Sequence, residues 1–288
     1  MKVSESSQKS AVEFRISKLE TMFLFPVSPL VGNAPTAKKE CTLIAKMEGD
    51  GFWEIQLMEP KLNTFAFPLP IIASIPIPAG ADEEALVMLS DILPTGFECG
   101  VLNGQVKPGD NVAIVGGGPI GLAALLTAQF YSPAEIIMVD VDDNRLEVAK
   151  KFGATTLINN SDGKAFEKIM ELTNKRGVDV AIEAVGIPST FDVCQAIVAA
   201  GGHIANIGVH GKPVQLNIDK LWSHNITLTT RLVDTVTTPM LFKTVMSGKL
   251  QPKKLITHRF KLDDVMQAYK TFGNAMEERT LKVIITND

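Results

Sequence analysis

Gly116-Gly117-Gly118-Pro119-Ile120-Gly121 sets three glycines, Gly116, Gly118 and Gly121, in the spacing G-x-G-x-x-G. That spacing suits an anion cradle. The first glycine permits a tight turn, the second lets backbone approach a pyrophosphate, and the third lets a helix pack closely on a strand. The free N–H groups and the dipole at the start of the following helix favour the phosphate charge. Pro119 stands where a first-turn proline is tolerated, and Ile120 completes the loop. Asp140 lies nineteen residues beyond Gly121. An acid there accepts hydrogen bonds from adenosine ribose hydroxyls and repels a 2′-phosphate, so NAD is expected in preference to NADP. Arg145 follows early in the next predicted helix. On spacing alone it either reaches the ribose or adenine face or is a solvated helix arginine.

Other chemistry-bearing residues are sparse. The four histidines, His203, His210, His224 and His258, all fall after residue 202. His203 begins a predicted buried strand and His210 follows one, which suits structural roles. Cys41, Cys99 and Cys194 are far apart and form neither a disulfide framework nor a C-x-x-C pair. This suits a reducing compartment, so a cytoplasmic location is expected.

The elements that must position the cradle are legible in the same stretch. From residue 81 onward, β-branched runs alternate with helix-period runs. Strands are predicted at 111–115, 136–140, 155–158, 178–185, 203–209 and 226–230. Helices are predicted at 119–131, 142–152, 163–175 and 188–199, with a shorter piece at 217–222. Alternating β and α predicts an α/β fold with a parallel sheet covered on both faces. Right-handed crossovers give the doubly wound Rossmann order 3-2-1-4-5-6.

The 288 residues allow one large or two modest domains. Residues 1–80 differ in texture, holding 8 of the 16 prolines and 4 of the 22 glycines. Strand-like runs at 40–47 and 51–58 predict a hairpin, and the proline-rich passage at 67–78 reads as a linker. Apolar residues are 45% and charged residues 21%, near globular averages, which excludes a fibrous chain. With 28 basic against 32 acidic residues, the chain is not expected to bind nucleic acid or an anionic membrane. No apolar run approaches the roughly 20 residues of a membrane span. The short apolar stretch at 21–31 is broken by Pro26 and Pro29 and is not read as a signal peptide.

The motifs at 81–110 (ADEEALVMLSDILPTGFECGVLNGQVKPGD), 112–124, 139–154, 177–186 and 201–211 occur together and in order. With them the chain resembles the medium-chain, zinc-type alcohol dehydrogenase superfamily over about residues 79–288. The look is nearest to its secondary-alcohol, sorbitol- and threonine-dehydrogenase-like members. The resemblance implies hydride transfer between NAD and a small-molecule secondary alcohol or ketone, and a homo-oligomer paired through the run at 226–233. It implies a discontinuous second domain. Residues 1–80 are an unrecognised β-rich segment and linker, 81–254 the NAD-binding domain, and 255–288 the return of a reduced catalytic domain.

By the same resemblance, Asp91 falls where the family places a catalytic zinc ligand, although its own context reads as an N-cap. Thr95 would stand near the nicotinamide, Ile207 and Val209 would offer backbone to the carboxamide, and Lys282 would touch the pyrophosphate. The family's upstream cysteine and histidine motifs are absent from residues 1–90, so zinc rests on the resemblance alone and the N-terminal lobe reads as replaced or truncated. Catalytic zinc needs about three protein ligands and an open position. Two readings therefore stand together: an alcohol-dehydrogenase-like oxidoreductase, and an NAD(H)-binding pseudoenzyme that catalyses nothing.

Overall fold

A computed structural model describes residues 42–48, 52–58 and 77–286. Strands β1 (Thr42–Glu48) and β2 (Phe52–Met58) pair antiparallel, with Thr42 opposite Met58 and Glu48 opposite Phe52. This is the expected hairpin. The apolar stretch at 21–31, Cys41 and nearly all of the 67–78 passage lie outside the described residues.

The main body is a six-stranded parallel sheet. Its strands are β3 (Asn111–Val115), β4 (Glu135–Asp140), β5 (Thr156–Asn159), β6 (Val178–Glu183), β7 (Val198–Asn206) and β8 (Thr227–Thr230). They lie in the order β5-β4-β3-β6-β7-β8, which is the doubly wound 3-2-1-4-5-6 arrangement. The strands are apolar almost throughout because both faces are covered. Val112, Ile114, Met138 and Ile182 join one core with Leu122 and Leu125 of the helix that follows β3. Ala113, Val115, Ile137 and Ala181 join the other with Ile169 and Ile197.

Ahead of the sheet the chain winds through α1 (Glu83–Leu86), a 3-10 turn (Val87–Leu89), α2 (Ile92–Pro94) and a π-helix (Thr95–Leu102). The π-helix lies directly on α3 (Pro119–Ala128). A Cβ at Gly96 would sit 2.6 Å from the Ala124 nitrogen, so only glycine lets the two backbones come this close. The remaining helices are α4 (Asp143–Lys151), α5 (Ala165–Leu172), α6 (Pro188–Ile197), α7 (Ile218–Leu221), α8 (Thr238–Met246), α9 (Val265–Gly273) and α10 (Ala275–Glu278).

Two features differ from the sequence reading. Strand β7 begins at Val198 rather than at residue 203. The chain leaves α6 directly into extended backbone, and between the Val178–Val198 and Val180–His203 pairs β7 carries three more residues than β6, in a stretch that includes Gly201 and Gly202. Helix α8 was not expected; Pro239 lies in its first turn, where proline is tolerated.

After α8, β9 (Ile256–Lys261) and β10 (Lys282–Thr286) form a separate parallel pair. Arg259 of β9 fastens this return segment to α1, with its Nε and Nη2 at 2.6 and 2.8 Å from the two carboxylate oxygens of Glu84. Among the described residues no single helix is long and apolar enough to cross a membrane.

Candidate functional site

The glycine loop sits between the C-terminal end of β3 and α3, at the point where strand order reverses. Gly116 has φ +112°, a left-handed conformation that favours glycine, and a Cβ there would meet Val185 Cγ2 at 2.5 Å. A Cβ at Gly121 would lie 1.8 Å from the Gly116 carbonyl oxygen. Both positions are therefore glycine for internal reasons. Gly118 is different: its backbone is extended and a Cβ would find no atom of the described residues within 4 Å. Among the described residues nothing requires glycine there, which leaves room for a molecule lying on the helix end.

Asp140, at the tip of β4, is held against this loop. Its Oδ2 accepts the Gly117 amide at 2.6 Å, and its Oδ1 accepts the Val141 and Asp142 amides at 2.8 and 2.9 Å. Arg145 is not free in solvent. Its Nη1 lies 3.9 Å from Asp140 Oδ2 and its Nε 3.9 Å from Asp142 Oδ2. Pro119 and Ile120 open α3 beside the loop and are half-buried.

The other predicted residues form two groups. Asp91 occupies the N-cap position of α2, but its side chain makes no capping bond. Instead, Oδ1 accepts the Thr95 hydroxyl at 2.7 Å. Lys282, the first residue of β10, comes within the electrostatic reach of Asp91. Burial holds its ammonium below the usual lysine range, and the Asp91 charge opposes that shift. Asp91 and Thr95 are thus a hydrogen-bonded pair, which Lys282 of β10 feels through the Asp91 charge. Ile207 donates its amide to the Glu183 carbonyl at 2.8 Å. Val209 is 82% exposed, and its backbone is crossed so closely by Gly186 that a Cβ there would lie 2.4 Å from the Val209 oxygen.

Residues 119–247 match the family described as zinc-binding dehydrogenase. An alcohol dehydrogenase of Cupriavidus necator is 34% identical over 214 residues, 73% of this chain and 58% of that protein. A sorbitol dehydrogenase of Bacillus subtilis is 34% identical over 63% of this chain and 51% of its own length. The solved apo structure of zinc-dependent alcohol dehydrogenase 2 from Streptococcus pneumonia superposes with a TM-score of 0.71 at 59% identity, covering 73% of this chain and 60% of that one. The chain belongs to the medium-chain, zinc-type alcohol dehydrogenase superfamily. It spans 51–60% of the length of these relatives.

For a dehydrogenase of this superfamily the dinucleotide end of the site is well formed. The open space at Gly118, the unpaired first N–H groups of α3 and the carboxylate of Asp140 fit the pyrophosphate and ribose of a nicotinamide dinucleotide. The metal end is not. Among the described residues no three His, Cys, Asp or Glu side chains gather to hold an ion. His210 Nε2 is held by Asn206 Oδ1 at 2.8 Å, and the His258 ring stacks on Phe260. Burial pushes the Cys99 thiol up to about 11, with the Glu98 charge adding to it, and raises Cys194 further. Neither is a ready thiolate. The described residues therefore do not fit a catalytic zinc.

Sequence reasoning passed over two fully buried carboxylates. Glu98 of the π-helix accepts the Thr237 amide at 2.8 Å and its hydroxyl at 2.7 Å, tying down the start of α8. Glu183 ends β6 as Asp140 ends β4. For Glu183 the legible signal was an acid closing a largely apolar strand; Glu98, inside the π-helix, had no such signal.

Proposed function

We propose that this chain is an NAD-dependent, alcohol-dehydrogenase-like oxidoreductase that moves hydride between the nicotinamide and a secondary alcohol or ketone. The observation that carries the reading is Gly118: a glycine at a helix N-terminus that no described residue requires to be one, beside a carboxylate already docked on the same loop. When bound, NAD supplies the hydride acceptor. Gly116, Gly118, Pro119, Ile120 and Gly121 would bear its pyrophosphate, helped by Lys282, and Asp140 with Arg145 its adenosine ribose. The backbone at Ile207 and Val209 would face the carboxamide. Asp91, bonded to Thr95, offers a carboxylate to take the alcohol proton. Asp140 favours NAD over NADP because a 2′-phosphate would lie against its charge.

The second reading, an NAD(H)-binding protein without turnover, is favoured by the lack of a metal cluster among the described residues. One purified sample separates the two. NADH is titrated by calorimetry, zinc is measured by elemental analysis, and NADH formation is followed with a panel of secondary alcohols. Binding with turnover supports the first reading and binding alone the second. A folded sample that does not bind NADH removes both.

A further inference from the structure

Glu183 has no exposed surface, yet its carboxylate accepts several hydrogen bonds from the turn into α6 and has His210 of the loop after β7 beside it. Oε1 accepts the Val185 amide at 3.0 Å, the Gly186 amide at 2.9 Å and the Thr190 hydroxyl at 2.6 Å. Oε2 lies 3.2 Å from the Gly186 nitrogen and 3.4 Å from His210 Nε2. Val185 and Gly186 belong to the loop after β6, Thr190 to the first turn of α6, and His210 to the loop after β7. The carboxylate therefore sits in the turn that leads into α6, holding two loop amides and a first-turn hydroxyl.

The two loops that Glu183 joins are also wedged between cofactor-loop and cleft residues. Val185 abuts Gly116, and Gly186 crosses Val209 with no room for a Cβ. Gly208 is equally tight, since a Cβ there would lie 2.2 Å from Glu183 Oε2. In an open α/β sheet a dinucleotide lies across the reversal point between the two halves. With the adenosine end at Asp140 on β4, the other half falls over β6 and β7, the strands whose tips Glu183 ties together.

We propose that Glu183 is a positioning residue. It holds residues 184–187 and 207–210 as a preformed wall for the nicotinamide half of the cofactor, with Thr190 and His210 as its side-chain partners. This rests on reading the cleft as a dinucleotide site. A buried carboxylate with hydrogen bonds this numerous is costly to disturb, because charge-assisted bonds are about twice as strong as neutral ones. Glutamine keeps the shape but replaces one acceptor with a donor that faces other donors.

The test compares NADH with ADP-ribose, which lacks the nicotinamide, by calorimetry on wild type, Glu183→Gln, Thr190→Val and His210→Gln. Circular dichroism checks that each variant is folded. The expected result is that Glu183→Gln weakens NADH about tenfold while ADP-ribose changes by less than about twofold, with smaller selective losses in the other two. Should Glu183→Gln fail to fold, Thr190→Val and His210→Gln make the same comparison with one neighbour of the carboxylate changed at a time. Equal losses for both ligands, or no loss for either, overturn the proposal. Wild type that binds neither ligand overturns the dinucleotide reading itself, and the proposal with it.

Discussion

Asp140 Oδ2 sits 2.6 Å from the Gly117 amide nitrogen, so the acid at the tip of β4 and the glycine loop after β3 are a single preassembled unit. With Val141 and Asp142, three backbone amides converge on this one buried side chain. Replacing Asp140 by alanine leaves those donors without their acceptor, at a cost of about 1–3 kcal/mol, read as a lower urea midpoint. The same variant should weaken NADH about tenfold and narrow the gap between NADH and NADPH, measured by competitive titration. An unchanged preference between the two cofactors would remove Asp140 from the site.

The glycines of the loop should separate cleanly. Gly118→Ala places its methyl in open space, so thermal stability should move by less than about 0.5 kcal/mol while NADH affinity falls. Gly121→Ala drives its methyl into the Gly116 carbonyl. It should destabilise the fold by about 1–3 kcal/mol or more, as overpacking does. Melting curves with and without NADH distinguish the two effects.

Acid should loosen the return segment through Glu84. Hydrogen bonds from Arg259 and Lys253 hold its carboxyl at about 2, below the ordinary 4.5. In that window the unfolded chain takes up the proton first. The contribution is therefore complete above 4.5 and disappears as the pH falls towards 2. The group is partly exposed, so Glu84→Gln should cost no more than about 1 kcal/mol at neutral pH. The difference in urea midpoint between wild type and variant should shrink as the pH is lowered through this range.

Chelation should leave the dinucleotide end untouched. Among the described residues no metal cluster supports the glycine loop or Asp140. Dialysis against EDTA should therefore change neither the melting temperature nor NADH affinity. A drop of more than a few degrees would reveal a structural metal held with ligands from outside the described residues.

Much of the fold could be read before any coordinates, since its signals are local. Strand 111–115, the glycine loop and helix α3 follow one another along the chain, and an acid closes the next apolar strand. The path of the chain after Asp91, whose context read as an N-cap, was less legible. The 83–102 stretch breaks into four short helical pieces, and its π-helix takes its path from how closely Gly96 can approach Ala124.

By itself, then, the sequence determined the parallel α/β sheet and the glycine loop between its first strand and helix, because hydrophobic periodicity and glycine spacing are properties of neighbouring residues. Tertiary structure alone decided that Asp91 bonds to Thr95 instead of capping its helix, that Lys282 is buried, its ammonium held below the usual range, and that Glu183 meets His210. It also decided that no metal cluster forms among the described residues. These depend on which distant segments are brought within a few ångströms and shielded from water, and a buried carboxylate has the same letter in the sequence as an exposed one.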